Sequence, residues 1–367
     1  MKTIGRLILA LLLTALGSAA KAEERYAEHS VLREGNWVKI RVAESGFYHL
    51  SDALIKKAGF SNPSRVKIYG YGGALQPEKL TGSYLSATDD LKEVPTCTIG
   101  GKRVFYATGP VTWSLMNSLE RTRNPYSDYG YYFLTESDDT PLTTDSTTLV
   151  SEHYPDNNDY HHLYEVDNYS WYHGGRNLFD KTLFSIGTPQ TYTLKASGTD
   201  GRIGIALTAD GDYEATIEVN DSAVATVSKK VTLESYSKAD EELYQYKLSG
   251  TLKAENTIRI TQTSGSNIRL DYIDLQHDTP TPLNLDKLPE PEYVYQITNQ
   301  DHHADEAVDM VIIIPTSQQL LAQAERLKAL HEQKDGMTVR IVTADELYNE
   351  FSSGTPDATA YRRYMKM

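Results

Sequence analysis

The sequence predicts a mainly β protein: a β-rich N-terminal region, then a jelly-roll or sandwich-like β domain, then the start of an α/β domain. Tyrosine is abundant (26) and phenylalanine scarce (7), which is typical of half-buried strand surfaces. Short runs of alternating apolar and polar residues recur roughly every ten residues between positions 181 and 278. After a proline-rich stretch, the pattern changes to an unbroken apolar run followed by helical periodicity.

The first 22 residues have the three zones of an export signal. Lys2 and Arg6 precede an apolar run at positions 7 to 16, and Ala20-Lys21-Ala22 fits a cleavage site for small residues. The alternative is a buried N-terminal helix, but the order of the zones favours a signal peptide over residues 1 to 22. A spanning helix needs about 20 apolar residues, so the sequence predicts an exported chain with no transmembrane segment.

Charge and cysteine content narrow the possible partners and the way the fold is held together. The formal net charge of −14 argues against nucleic acid as a partner, because the phosphate backbone would be repelled. Cys97 is the only cysteine, which excludes an internal disulfide and leaves the hydrophobic core to stabilise the fold.

The region from 23 to 178 is predicted to form several short strands. Alternation predicts a strand at 37 to 42, a turn at Ser45-Gly46, and a second strand after it. Ser51 is expected to cap a short helix that ends at Gly59. A further strand at 65 to 69 is followed by three glycines, which suggest a tight turn with positive φ angles. These glycines are Gly70, Gly72 and Gly73.

The rest of this region is less regular. Residues 92 to 108 predict a hairpin around Gly100-Gly101, with Cys97 on its first strand. The stretch from 124 to 135 is rich in aromatic residues, 136 to 148 is expected to be an acidic, threonine-rich loop, and 153 to 177 has weak periodicity.

Residues 179 to 279 are predicted to form one β domain of the sandwich or jelly-roll type. Alternating segments recur along it, Asn220-Asp221 marks a hairpin turn, and no helical period of useful length is present. Four prolines then mark residues 280 to 307 as a linker, because proline at this density does not continue a sheet interior. These prolines are Pro280, Pro282, Pro289 and Pro291.

Residues 308 to 367 read as the start of a parallel α/β domain. An apolar run at 309 to 315 predicts a strand covered on both faces, and 318 to 335 have helical period, ending at Gly336. A second strand is expected at 337 to 342, followed by a helix with a capping box of Thr343 and Glu346. Thr355 is expected to cap one more helix. Two parallel strands cannot bury both faces alone, so either the unit packs on the β domain or the natural domain continues beyond residue 367. We favour the second alternative, because the last helix has no stop signal.

The tail resembles the beginning of a known peptidase domain. The motif that carries the resemblance is Tyr348, Asn349-Glu350-Phe351, Ser352-Ser353-Gly354, Thr355-Pro356-Asp357-Ala358-Thr359-Ala360 and Tyr361-Arg362. It is similar to the start of the gingipain-type (C25) cysteine peptidase domain, and the match covers roughly the last sixty residues. Shorter motifs at 37 to 40, 46 to 50 and 69 to 73 resemble the N-terminal region of the family's sortase branch, which serves the type IX secretion system of Bacteroidetes.

The resemblance implies a fold, a location and a reaction. It implies a surface-located or extracellular peptidase that removes C-terminal signals from exported cargo, with cargo proteins or type IX secretion components as partners. In the family, a cysteine thiolate attacks the peptide bond with histidine as base. Those two residues lie downstream of the matched region, so the sequence assigns no catalytic, cofactor or metal residue here and predicts a fragment that is inactive alone.

Several other residues of the chain belong to types that take part in catalysis or metal binding. Cys97 lies in a predicted strand, where packing is a simpler interpretation than nucleophilic catalysis. His161-His162 follows a run of Asp and Asn, which predicts a solvated loop, with a structural calcium ion as the alternative. His302-His303 with Asp305 and Glu306 reads as a polar linker, with a metal site as the alternative.

A binding module without enzymatic activity is the alternative function. The aromatic stretch from 126 to 133 has residues that stack on sugars in other proteins, although packing on a strand face is the simpler interpretation. Asp210-Gly211-Asp212 predicts a turn. The glycines near residue 70 are not followed by a phosphate-binding signature, and the strand after the linker lacks a dinucleotide-binding one.

Overall fold

The computed structural model describes residues 26 to 113 and 118 to 367. The predicted signal peptide at residues 1 to 22 lies outside the described residues. Among the residues described, no helix has the length and apolar character needed to span a bilayer.

Within the two described ranges, strands dominate the fold and six α-helices accompany them, as the sequence predicts for a mainly β chain. The strands are β1 (Trp37–Val42), β2 (Gly46–His49), β3 (Val66–Tyr69), β4 (Cys97–Ile99), β5 (Lys102–Ala107), β6 (Val111–Trp113), β7 (Arg121–Arg123), β8 (Gly130–Glu136), β9 (His161–Glu165), β10 (Gln190–Lys195), β11 (Gly201–Ala209), β12 (Tyr213–Val219), β13 (Ser222–Lys229), β14 (Asp240–Leu248), β15 (Glu255–Gly265), β16 (Ile268–His277), β17 (Glu292–Gln296), β18 (Met310–Ile314) and β19 (Val339–Thr343). The α-helices are α1 (Asp52–Lys57), α2 (Gly82–Ala87), α3 (Ser146–His153), α4 (Leu321–Lys334), α5 (Ala344–Phe351) and α6 (Thr359–Lys366).

The N-terminal region is built on two small antiparallel sheets. One has the strand order β17-β1-β8-β3 and the other β2-β5-β4. Strands β1 and β2 follow each other in sequence but belong to different sheets, so the turn at Ser45-Gly46 redirects the chain instead of closing a hairpin. Apolar side chains of both sheets share one core, which includes Val38, Ile40 and Phe105.

The sequence correctly predicts one hairpin turn and one helix cap of this region. Gly100 and Gly101 have φ angles of +56° and +78° and join β4 to β5 as a hairpin. The Ser51 side chain accepts a hydrogen bond from the backbone of Leu54 and caps α1. Helix α3, by contrast, lies at the end of a stretch that reads as a loop, because only Leu149 of its residues is buried.

Residues 190 to 277 form the predicted β-sandwich. Two four-stranded sheets, β10-β15-β12-β13 and β14-β11-β16-β9, pack face to face around a continuous apolar core. The predicted hairpin at Asn220-Asp221 is present, and both residues have positive φ angles (+54° and +65°). The fold class expected from the sequence is therefore confirmed.

Four of the described strands lie outside the stretches where sequence periodicity indicates them, namely β6, β7, β9 and β17. Strand β9 belongs to the sandwich and pairs with β16, although it comes from the weakly periodic stretch before residue 178. Strand β17 lies within the predicted proline-rich linker and pairs with β1 at the edge of the first sheet. Both β9 and β17 are edge strands of five residues. The exact domain boundaries stay a prediction.

The C-terminal segment has the predicted β-α-β order. Strands β18 and β19 pair in parallel, and α4 connects them, with Gly336 (φ +66°) following its end. The predicted capping box of Thr343 and Glu346 is present at the start of α5. However, β18 is only half buried, so the expected cover on both of its faces is incomplete.

Two details of this segment differ from expectation. Leu320, Leu327 and Leu330 of the predicted apolar side of α4 are 42 to 51% exposed, and Ala324 is the buried residue of that helix. The last helix begins at Thr359, after Ala358, so the prediction that Thr355 caps it was wrong. The Thr355 hydroxyl instead donates to a backbone carbonyl of the N-terminal region, which is a long-range contact that local sequence does not reveal.

Candidate functional site: a buried junction between the β region and the α/β segment

The loop between α5 and α6 packs against the N-terminal β region. We call residues 352 to 358 the docking loop and residues 70 to 73 the glycine stretch. The Ser353 hydroxyl accepts a hydrogen bond from the backbone of Tyr71 and donates to the carbonyl of Tyr131, both at 2.9 Å. The Thr355 hydroxyl donates to the carbonyl of Gly72 at 3.0 Å and accepts from the backbone of Tyr131 at 3.2 Å. Two hydroxyls thus connect the docking loop to both the glycine stretch and β8.

Close backbone packing explains why this stretch contains glycine. A Cβ on Gly72 would lie 2.4 Å from the carbonyl oxygen of Thr108, and one on Gly73 would lie 2.5 Å from the Cα of Gly130. Gly70 and Gly72 have positive φ angles, as expected, whereas Gly73 does not, and the stretch does not form the predicted tight turn. The glycines instead let the chain pass between β8 and the docking loop.

A buried lysine of β1 reaches across the junction to α5. The Lys39 side chain is 3% exposed, and its ammonium lies 3.1 Å from Asp345 and 2.9 Å from the amide oxygen of Asn349. The ring of Tyr131 lies under the same ammonium, 4.8 Å from it. Burial lowers the pKa of Lys39, and Asp345 opposes this shift. A buried ammonium is costly without such partners, so α5 and β1 depend on each other.

A buried arginine of α6 makes the reciprocal contact. The Arg363 guanidinium donates to the hydroxyl of Tyr71 at 2.9 Å, to the side chain of Gln76 at 3.0 Å and to the carbonyl of Phe351 at 2.6 Å. The backbone of Gln76 donates to Asp357 of the docking loop at 2.9 Å. Burial raises the pKa of the Tyr71 hydroxyl, and Arg363 opposes the shift.

The segment that leads into β18 is held by a fully buried carboxylate. Glu350 accepts hydrogen bonds from the side chain of Gln300 (2.8 Å), from the backbone of His302 (2.8 Å) and from the backbone and ring of His303 (3.1 and 2.6 Å). The other ring nitrogen of His303 lies 2.9 Å from the carbonyl of Asp89 in the N-terminal region. Burial opposes a charge on His303, but the contact with Glu350 leaves its pKa raised.

His302 also takes part in ion pairs. Its Nδ1 lies 2.8 Å from Asp305 and its Nε2 lies 3.8 Å from Glu346. Burial lowers the pKa of His302, but the two carboxylates outweigh this and raise it to about 9. A protonated His302 and a His303 with both nitrogens in contact are poor metal ligands, so the structure gives the metal alternative at His302-His303 no support.

Cys97 lies in the core and does not resemble a nucleophile. It is buried at the start of β4 among Phe47, Val104 and Leu149. Burial raises the pKa of its thiol, and the nearby Asp145 raises it further. A catalytic thiolate needs the opposite shift, so this environment suits packing.

The Asp and Asn run before His161 caps a short helix. The side chains of Asp156 and Asp159 form a capping box around residues 157 to 160, which leaves them occupied by backbone contacts. His161 stacks on Trp113, with ring centroids 3.8 Å apart, and contacts Asp274 at 2.8 Å. The structure thus gives the calcium alternative at this run no support. The turn expected at Asp210-Gly211-Asp212 joins β11 to β12.

Three carboxylates lie close together near β7 and the sandwich, and no pattern in the sequence indicates them. Among the described residues, Glu165, Asp167 and Asp271 have ligand atoms within 4.8 Å of one another. Arg121 lies between Glu165 and Asp271, and Arg123 contacts Glu165 and Asp167. A metal ion would have to displace these guanidinium groups. The group therefore suits a structural ion network that joins β7 to the sandwich.

Most of the aromatic stretch from 126 to 133 packs within the protein. Tyr132 and Phe133 are buried, and Tyr131 lies under Lys39. The guanidinium of Arg41 covers the ring of Tyr129 at 3.9 Å. Only Tyr126 is exposed, at 38%, so the structure gives no free aromatic platform for a sugar within this stretch.

Comparison with protein families identifies the class of domain that begins here. Residues 303 to 367 match the model of peptidase family C25. The matched residues include His303, Glu350, the docking loop and Arg363, which form the junction. The resemblance inferred from the sequence is thus confirmed for the C-terminal segment.

Comparison with solved structures extends the likeness to nearly the whole chain. The crystal structure of dimeric latent PorU from Porphyromonas gingivalis matches with a TM-score of 0.75 and 26% identity, covering 93% of this chain and 40% of that one. The chain therefore spans less than half the length of PorU. A family 35 carbohydrate binding module from an environmental isolate matches with a TM-score of only 0.25 and 14% identity, covering 34% of this chain and 91% of that one. No curated protein matched the sequence.

The glycine stretch allows a matched test of the junction. Gly72 and Gly59 have nearly equal φ angles (+85° and +86°), but only Gly72 has backbone atoms where a Cβ would lie. We expect Gly59→Ala to cost about 1 kcal/mol through its backbone conformation alone. Gly72→Ala should cost roughly 2 kcal/mol more and speed proteolytic release of the C-terminal segment. Urea unfolding and timed proteolysis measure both effects, and equal losses in the two variants would contradict the proposed close packing.

The His302 ion pairs predict a pH dependence. The folded-state pKa of about 9 lies above the ordinary value near 6.5, so the stabilisation is complete below about pH 6.5 and is lost as the pH rises through about 9. We expect the wild-type protein to lose more unfolding free energy than His302→Gln between about pH 6 and about pH 9.5. Urea unfolding at both pH values checks this, with His173→Asn as the control because His173 is exposed. Parallel losses in wild type and His302→Gln would rule the effect out.

Proposed function

We propose that this chain is the N-terminal part of an exported C25 cysteine peptidase of the PorU type, and that its β region holds and orients the peptidase domain. The observation that carries the proposal is the position of the family match. The matched segment packs directly against the β region through buried polar contacts.

The two sides of the junction are specific for each other. Lys39 from the β region and Arg363 from the peptidase segment are each buried and each find partners on the opposite side. Breaking one side of a buried ion pair costs about 3–5 kcal/mol, because a charge is left without compensation. The arrangement therefore favours one orientation of the peptidase domain over others.

The chain by itself is proposed to lack peptidase activity. Its only sulfur nucleophile is Cys97, whose thiol is buried with a raised pKa. In the family manner, the thiolate and the histidine base would come from sequence that follows the region matched here. Catalysis would then proceed by thiolate attack on the peptide bond with histidine as base.

The finer proposal concerns the substrate and the location. The resemblance to PorU supports a sortase role: removal of C-terminal signals from cargo of the type IX secretion system at the cell surface. Cargo proteins and secretion components would be the partners. An export signal at residues 1 to 22 would bring the protein to that location.

Thiol labelling tests the proposal that Cys97 is not catalytic. We expect the purified chain to show no turnover of a peptide substrate, and Cys97→Ala to leave that result unchanged. Cys97 should react with a thiol probe only after unfolding, because it is 4% exposed. Turnover by the chain that disappears in Cys97→Ala would overturn this part of the proposal.

Disruption of the gene tests the sortase role. In the organism that encodes the protein, we expect cargo of the secretion system to keep its C-terminal signal when the gene is disrupted, and processing to return when the intact gene is restored. The cargo would run as a larger species on immunoblots, and mass spectrometry would locate its C-terminus. Normal processing in the disrupted strain would contradict the role.

A further inference from the structure

Two histidines meet at one end of the β-sandwich. His162 on β9 lies opposite Leu275 on β16, so His277 is two residues farther along β16 on the same face. Their ring centroids are 5.2 Å apart, and the ring planes are tilted by 35°. The pairing of two strands thus fixes the distance between two imidazoles that are far apart in sequence.

The tautomer of His277 is set by its backbone partner. Its Nδ1 lies 2.5 Å from the carbonyl oxygen of Thr279, which can only accept, so Nδ1 carries the proton. In the neutral ring, Nε2 is then unprotonated and carries a lone pair. The residue is 1% exposed, and Nε2 has no hydrogen-bond partner within the described part of the chain. A buried acceptor without a partner is costly, which makes this atom a candidate ligand.

His162 supplies the second imidazole. It is half buried, and its ring lies beside that of His277. Histidine binds metal ions in its neutral form, through the lone pair of a ring nitrogen.

The separation of the rings agrees with a shared tetrahedral ion. With Zn–N near 2.05 Å and the ring centre about 1.1 Å beyond the nitrogen, two imidazoles on one tetrahedral zinc have centroids roughly 5.2 Å apart. The observed value is 5.2 Å. Hydrogen bonding of Nδ1 to a backbone carbonyl, as His277 has, is the usual way of orienting a metal-bound histidine.

We propose that His162 and His277 form a binding site for a borderline divalent cation such as Zn²⁺, with water completing the coordination. Two imidazoles and no thiolate favour Zn²⁺, Cu²⁺ or Ni²⁺ over Ca²⁺. The net charge of −14 raises the local concentration of cations, while Lys195 on β10 of the facing sheet opposes binding and Asp278 favours it. Such a site would tie the edge strand β9 to β16.

Binding of Zn²⁺ alone to the tag-free full chain tests the site. We expect calorimetry to show one bound Zn²⁺, and His162→Gln and His277→Gln each to weaken it by at least about tenfold. His173→Asn should leave the affinity unchanged, because His173 lies in an exposed loop. Cu²⁺ bound to the same chain should give a paramagnetic resonance spectrum with coupling to nitrogen.

Two outcomes would overturn the proposal. One is the absence of Zn²⁺ binding to the wild-type chain at millimolar metal, and the other is unchanged binding in both histidine variants. If His277→Gln does not fold, as judged by circular dichroism, His162→Gln decides the result alone, because His162 is only half buried.

Discussion

The contact between the docking loop and the glycine stretch is the constraint on which the arrangement of this chain depends. The two segments lie more than 280 residues apart. The hydroxyls of Ser353 and Thr355 nevertheless bond to backbone groups of the glycine stretch, in place of the backbone partners that a neighbouring strand would supply. Buried backbone groups must find partners, and here they find them in another part of the fold. Neither segment can change its path without leaving polar groups of the other unsatisfied.

Charge adds orientation to this contact. Lys39, Glu350 and Arg363 are all buried within the junction, and each is satisfied by several groups. Buried ion pairs contribute little net stability compared with apolar packing, but an incorrect arrangement would leave a charge unpaired. The junction is thus better suited to specifying one geometry than to providing most of the stability, which comes from the apolar cores on either side.

The sequence predicts structure that is set by neighbouring residues. The features that it does not predict are contacts between residues far apart in the chain. The hairpins at Gly100-Gly101 and Asn220-Asp221 follow from residues next to one another, and so does the capping box of α5. Thr355 has the local signature of a helix cap, but its hydroxyl donates a hydrogen bond to the carbonyl of Gly72 on the other side of the junction. The three carboxylates around Arg121 come from two different regions, so no local pattern brings them together.

The same distinction explains the half-exposed surface of the α/β segment. Its own apolar cluster consists of Val342 with residues of α5 and α6, while Leu327 and Leu330 of α4 remain in contact with solvent. Two parallel strands with three helices bury too little apolar area to be stable alone. The β region contacts α5 through Lys39 and α6 through Tyr71 and Gln76. The α/β segment thus relies on the β region to bury polar and charged groups of α5 and α6.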